Sequence, residues 1–551
     1  MKAFLAFLGP NSRCNCEQIG RIGSESPKSR WKFCSSPCQN VHFSWLRIAP
    51  VTKEASIQTP EDTGFAARVR SAVAWRWGSQ VLAQLITWTS TIGVMRILDP
   101  SDYGLFAMTQ AVLAALNFLN GYSFATSLIQ ADKVDERRIG QVFGMLILAN
   151  AGIALAQYLL APSAAAYYGQ PQVADMLRVQ ALIFLATPFI ALPSALLARR
   201  IEFRNQGLVN LLCALVGAST ALGLAYIGFG VWALVYAPIA MAAVRAIGLT
   251  ISAKLLVKPI FDFRGAWDIL SFGGALTLCQ LLWIVQSQSD IFIAGRVFST
   301  HDLGIYTLAL FLGLVVTGRF LPPINEVAFP AYAELHKSGK PLAPFFIRTL
   351  RTVLLVTAPL YVGLALTADA AILTIAGQKW AEMIPILAGL ALAMPFFALQ
   401  IVCSPATNAI GRPGIYVTTS AVGAVMFPLC FLAGISHGPM GLVYAWWFAA
   451  PALLLVTLAL TLRAINVSVV ELVADLLPVL LSSGAMAAVV ILAKPFAIGM
   501  IPPVQLILLV TIGAAVYCGV MWFAWPSVVR ETWAMIRQQK TPDPVIAKPL
   551  A

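Results

Sequence analysis

Charge is what this sequence has least of. Asp, Glu, Lys and Arg make up 11% of its 551 residues, against about 25% in soluble globular domains. That shortfall excludes a water-facing surface over most of the chain. Histidine is scarcer still: His42, His301, His336 and His437 stand far apart, and no metal site follows from their spacing. A phosphate-cradling Gly-rich loop with its lysine is missing, and so is a nucleophile elbow, so neither nucleotide hydrolysis nor serine-hydrolase chemistry is indicated. No cofactor is called for. Four of the nine cysteines crowd into residues 1–65 as Cys14, Cys16, Cys34 and Cys38. That spacing admits a four-thiolate zinc site, but no folded module surrounds it, and a disordered tail or an over-extended start is the expected reading of 1–65. The remaining cysteines sit singly in apolar stretches as small core residues.

What is present is apolar. The mean hydropathy is +0.79, and runs of about 20 apolar residues, long enough to cross a ~30 Å hydrocarbon core, recur between Ser71 and Trp525. Fourteen such segments are expected, from 72–97 to 503–525. The predicted fold class is therefore an all-α integral membrane protein. The net charge of +13 reports topology before it reports nucleic acid, because Lys and Arg near helix ends stay on the cytoplasmic side. With the first segment running outward, only Arg96, Arg178, Arg296, Lys379 and Lys494 fall on outer flanks. Both termini are then cytoplasmic.

The stretch RILDPSDYGLFAM, Arg96 to Met108, punctuates the first two segments, and RVFSTHDLGIYTL, Arg296 to Leu308, repeats its frame. Arg96 pairs with Arg296, Asp102 with Asp302, Gly104 with Gly304, and Phe106 with Tyr306. Pro100 bars helix continuation, and Asp102 is expected to cap the N-terminus of the second helix, with Asp302 doing the same for the eighth. A second echo pairs LATPFIAL at Leu185–Leu192 with LAMPFFAL at Leu392–Leu399. Two echoes in the same order argue for duplication: two six-helix bundles of one orientation, 66–260 and 261–465, followed by two further helices in 466–527 and a cytoplasmic tail, 528–551. Parallel repeats of this kind place a transport site at their interface.

Polar side chains within the bilayer are few, and each is a functional candidate. Arg76, Gln80 and Gln84 form one stripe on the first helix. The seventh carries Gln280, Gln286, Gln288 and Asp290. On the eighth, Arg319 lies about 22 Å from the outer end, a break is expected at Pro322-Pro323, and Glu326 follows. Asn117, Asn120 and Gly121 stand at the matching depth of the second helix. Paired polar interruptions in corresponding helices point to a binding site. Substrate contacts are assigned to Arg319, Gln80, Gln84, Arg76, Asn117, Asn120, Gln280 and Gln286, and ion coupling to Asp290 and Glu326. The structural alternative is that the amides bond neighbouring helices and that the arginines snorkel.

Several blocks carry a family likeness: RILDPSDYGLFAM, YYGQPQVADMLRVQAL at Tyr167–Leu182, LLARRIEFR at Leu196–Arg204, SDIFIAGRVFSTHDLGIYTLA at Ser289–Ala309, FPAYAEL at Phe329–Leu335, and GQKWAEMIPILAGLAL followed by NAIGRPG. Over about Phe65 to Gly434 the chain resembles the polysaccharide transporter, or Wzx-type flippase, family of the multidrug/oligosaccharidyl-lipid/polysaccharide superfamily. The resemblance implies two bundles around a V-shaped cavity, lined by helices 1, 2, 7 and 8, that opens alternately to either side. It implies a bacterial cytoplasmic-membrane protein that moves undecaprenyl-diphosphate-linked oligosaccharide for surface polysaccharide synthesis. Its partners would be that lipid-linked oligosaccharide, membrane lipid, and a polysaccharide polymerase with its export machinery, with no nucleic acid. This chain departs from the need for a cationic path in having few cations at depth. A cation-coupled drug exporter of the same superfamily is the alternative, and a membrane glycosyltransferase or polymerase is disfavoured because the loops are short and lack a catalytic cluster.

Overall fold

The computed structural model describes residues 60–117, 119–120, 135–200, 203–254, 257–262 and 267–538. Among these every regular element is helical. In chain order the long helices are α1 (Pro60–Ile97), α2 (Pro100–Asn117), α3 (Glu136–Tyr168), α4 (Gln172–Arg199, with irregular turns at Ala181 and Thr187), α5 (Phe203–Ile227) and α6 (Trp232–Ala253). After the connection at 257–262 come α7 (Trp267–Val297), α8 (Thr300–Lys337), α9 (Ala343–Leu366), α10 (Met383–Ala409), α11 (Pro413–Gly434) and α12 (Gly438–Ile465). Then follow α13 (Val469–Ala497), α14 (Pro502–Ala524) and an amphipathic α15 (Pro526–Gln538). Ten segments among the described residues are long and apolar enough to cross a membrane, one of them, Pro413–Ile465, spanning both α11 and α12. The protein is an all-α, multi-pass membrane protein.

Burial is graded. In α10 72% of the most apolar window is buried, in α14 only 22%. The first packs against α8, α9 and α12. The second presents its apolar surface outward, as a helix does when lipid rather than protein is its neighbour.

The residues before 257 meet those after 262 mainly at one end. There α2 crosses α8, and a single buried apolar cluster runs through Met95, Met108, Leu177, Tyr306, Trp380 and Trp446. At the opposite end the clusters formed by the described residues are separate. Leu321, Phe346 and Val402 belong to one, whereas Val142, Leu146 and Leu192 belong to another.

Two local expectations are corrected. Asp102 and Asp302 are not the N-caps: α2 starts at Pro100 and α8 at Thr300, so each aspartate is the third residue of its helix. Ser299 caps α8, accepting from the Asp302 N–H at 3.1 Å and donating to the Asp302 carboxylate at 2.7 Å. Asp102 reaches back to accept from the Asp99 N–H at 3.2 Å, which is the return arm of a capping box. Nor does α8 break at Pro322-Pro323; it continues to Lys337. Each proline forfeits one ladder bond, and a packed membrane helix tolerates that loss.

Candidate functional site

Below the closed end lies a cavity of about 560 Å³. It forms because three helices turn short polar and aromatic stripes toward one another. Trp283, Gln286 and Ser287 on α7 follow the i, i+3, i+4 rule, as do Leu314, Thr317 and Gly318 on α8, with Leu321 a turn on, and Phe397, Gln400 and Ile401 on α10, with Ser404 a turn on. Asn325, Tyr416, Phe427 and Trp446 also line it. None of the described lining residues is Asp, Glu, Lys, Arg or His.

The wall is held from behind. The Tyr361 hydroxyl of α9 donates to the Gly313 carbonyl at 2.8 Å and accepts from the Thr317 N–H at 3.1 Å, besides meeting the Thr317 hydroxyl. It thereby stands between two groups that would otherwise bond along the helix. A side chain inserted into the ladder is a recognised cause of helix bending. Pro322 and Pro323, five and six residues on, each remove a further ladder bond beside the cavity. One turn beyond Gln286, Asp290 is 1% exposed. It accepts from the Tyr306 hydroxyl at 2.8 Å and from the Ile291 N–H at 2.8 Å. Trp446 Nε1 donates in turn to Tyr306 Oη at 3.0 Å, so a hydrogen-bonded chain links the cavity wall to the buried carboxyl.

The candidate residues are dispersed. Gln286, with Gln288, lines the cavity. Arg319 is exposed and is not among the residues that line the cavity. No ion pair joins it to Asp290 or Glu326 among the described residues, and Glu326 is exposed. Gln80 is exposed and Gln84 half-exposed on α1. Asn117 accepts from Asn120 at 2.8 Å, and the Asn120 carbonyl accepts from Asn150 at 2.9 Å. The side chains of Arg76 and Gln280 lie outside the described residues, as do Gly121 and all four N-terminal cysteines. Gln400, Ser404, Asn325 and Trp283 escaped the sequence reading. Uncharged side chains one turn apart carry only the weak signal of i, i+4 polarity in an apolar helix.

At the closed end α1 and α7 each finish against the other part of the chain. Arg96 donates to the carbonyls of Ile375, at 3.1 Å, and Thr374. Lys379 reaches the Ile97 carbonyl at 2.9 Å and Asp99 at 3.3 Å, and Trp380 Nε1 reaches the Met95 carbonyl at 2.9 Å. Arg296 lies 5.1 Å over the Tyr167 ring, and Tyr167 donates to the Phe292 carbonyl at 3.3 Å.

Comparison with known proteins agrees with this architecture. The succinoglycan biosynthesis transport protein ExoT of Rhizobium meliloti is 23% identical over 330 residues, covering 60% of this chain and 67% of that one. The teichuronic acid biosynthesis protein TuaB of Bacillus subtilis is 24% identical over 337 residues, covering 59% and 68%. The fold matches lipid II flippase MurJ in an inward closed conformation with a TM-score of 0.66 at 15% identity, over 82% of this chain and 100% of that one. A family model described as polysaccharide biosynthesis protein matches residues 94–385, more than half of the sequence, and the chain belongs to that family.

Proposed function

We propose that this protein flips an undecaprenyl-diphosphate-linked oligosaccharide from the inner to the outer leaflet of a bacterial cytoplasmic membrane, feeding surface polysaccharide synthesis. The reading is one of transport, with no covalent bond made or broken. One observation carries it. The residues before 257 and those after 262 pack together at the Pro100/Thr300 end, and at the other end the described apolar clusters are separate, which fits one end-state of an alternating-access carrier. The names and fold of the relatives support the cargo. In this reading fourteen helices cross the membrane. Residues 66–260 and 261–465 form the two bundles, 466–527 hold the appended pair, and both termini are cytoplasmic, so the locked end faces outward. Polymerase and export machinery act downstream.

Gln80, Gln84, Arg76, Asn117, Asn120, Gln280 and Gln286 are proposed along the path, Arg319 at the diphosphate, and Asp290 with Glu326 in ion coupling. A drug exporter of the same superfamily would want an acid in its cavity. The described residues of the cavity lining carry no charge, which counts against it.

Deleting the gene tests the function. The expected result is loss of surface polysaccharide with complete lipid-linked repeat units retained in the inner leaflet. Accumulation of incomplete repeats would instead assign a glycosyltransferase. Reporters after Arg530 and at Gly169 test topology, with the first expected inside and the second outside.

A further inference from the structure

We infer that the cavity between α7, α8 and α10 seats the uncharged sugar portion of the cargo, separately from whatever holds its diphosphate. The inference rests on the flippase reading above and adds a subsite to it.

Charge excludes the diphosphate first. An anion buried without a counter-charge is strongly disfavoured, and the described lining offers no cation. Sugar hydroxyls differ, since each both donates and accepts. Carboxamides match that pattern, having two donors and an acceptor on one rigid plane. Gln286 is 3% exposed and Gln400 6%, yet Gln286 Nε2, Gln400 Oε1 and Asn325 Oδ1 have no hydrogen-bond partner among the described residues. Buried polar atoms are nearly always paired, so these three, gathered around one cavity, are available to a polar ligand.

Aromatic rings supply the rest. Trp283 stacks on Phe397 with centroids 6.0 Å apart and planes 17° from parallel, and Phe397 meets Trp446 edge-on. Flat apolar faces beside carboxamides suit a pyranose ring, which has C–H faces and a hydroxyl rim. The volume of about 560 Å³ lies within the ~300–1,000 Å³ typical of small-ligand sites. The arrangement is also fixed. A Cβ on Gly423 would overlap Gln286 Oε1, so that glycine makes room for the carboxamide. The first repeat has no counterpart: at the 200-residue offset Ala83 stands for Trp283 and Ile86 for Gln286.

The test uses the full-length protein in proteoliposomes with two natural probes. One is the complete lipid-linked oligosaccharide from a host lacking this gene. The other is the same carrier with only its first sugar, from a host also lacking the later glycosyltransferases. The quantity read is the ratio of their flipping rates. Wild type is expected to favour the complete glycan, and Gln286→Leu with Gln400→Leu to lower the ratio about tenfold or more, as expected for two lost hydrogen bonds. Gln286→Asn with Gln400→Asn keeps the chemistry and shortens the reach. It should lower the ratio as well, and it serves if the leucine pair does not fold. A folded variant pair with the wild-type ratio overturns the sugar site. So does a wild type that moves both lipids equally, which leaves the flippase reading standing. A wild type that moves neither overturns the flippase reading itself, and the sugar site falls with it.

Discussion

Gly104 and Gly304 mark a crossing that reads the same from either side: a Cβ on Gly104 would overlap the Thr300 carbonyl oxygen, and a Cβ on Gly304 the Pro100 carbonyl oxygen. Residues paired by the 200-residue offset are thus paired again in space, each glycine resting on the start of the other helix. That relation is what a pseudo-two-fold axis through the closed end requires.

A side chain at either glycine should wedge the closed end open. Overpacking at a tight contact costs about 1–3 kcal/mol, and here the neighbour is backbone that cannot rotate away. Gly104→Val and Gly304→Val are therefore expected to be equally harmful to transport and to expose Thr307, which lines the crevice beneath the crossing. Labelling of Thr307→Cys by an impermeant reagent from outside measures this. Unchanged labelling with normal transport in either variant would remove the crossing as the closure point.

The two arginines of the repeat should behave unequally. Arg96 bonds two backbone carbonyls, whereas Arg296 rests on a ring, an interaction of about 0.5–1 kcal/mol at an exposed site. Replacing each by Gln should slow transport more at 96 than at 296. The same labelling assay reads it, and the reverse order would show that the carbonyl contacts do not hold the closed state.

Much of this was legible in the sequence, and the limits have physical causes. The repeated punctuation at Arg96–Met108 and Arg296–Leu308 was readable because turns need particular residues, and those residues turned out to form the crossing. The caps were misplaced by three positions because an aspartate that caps and one that reaches back in a capping box look alike in sequence. Pro322-Pro323 read as a break because nothing local tells a helix end from a proline pair held in place by packing. Most of the cavity was hidden. Gln400 and Asn325 become neighbours of Gln286 only when three helices pack, and uncharged amides carry no topological signature as arginine does.

Asp290 and Tyr306 form a pair that is replaced on both sides at once 200 residues earlier, by Ser90 and Phe106. Tyr306→Phe alone leaves a buried carboxyl short of one donor, a cost of about 1–3 kcal/mol, and should lower folded protein. Adding Asp290→Ser transplants the pair of the first repeat and should restore abundance. If Asp290 couples an ion, the double variant will be abundant yet insensitive to the ion gradient. Full gradient-driven flipping by it would limit Asp290 to a structural role.

Arg351 joins three helices. It is 5% exposed and reaches Asp475 of α13 at 2.9 Å and Glu531 of α15 at 2.6 Å. Removing the cation alone leaves Asp475 partly buried without its partner, so Arg351→Met should destabilise by about 1.5–3 kcal/mol, and adding Asp475→Leu should recover much of it. Thermal unfolding in detergent checks this. Equal stability of Arg351→Met and wild type would show that the pairs do not anchor α15.

Arg319 is the deepest candidate cation, and its placement sharpens what it can do. It is exposed and does not line the cavity, while Asp290 is already engaged by Tyr306. A diphosphate held outside the cavity with its sugars inside fits that division. A guanidinium forks onto phosphate oxygens, whereas an ammonium offers a point charge. Arg319→Lys should therefore keep partial flipping, and Arg319→Gln nearly abolish it at normal membrane abundance. A snorkelling arginine would let Arg319→Gln flip normally. An internal pair with Glu326 would instead show as lost abundance, restored by Glu326→Gln. Outer-leaflet appearance of lipid-linked sugar, measured with abundance in the single and double variants, separates the three. Normal flipping by Arg319→Gln, or rescue by the double variant, would end the phosphate assignment.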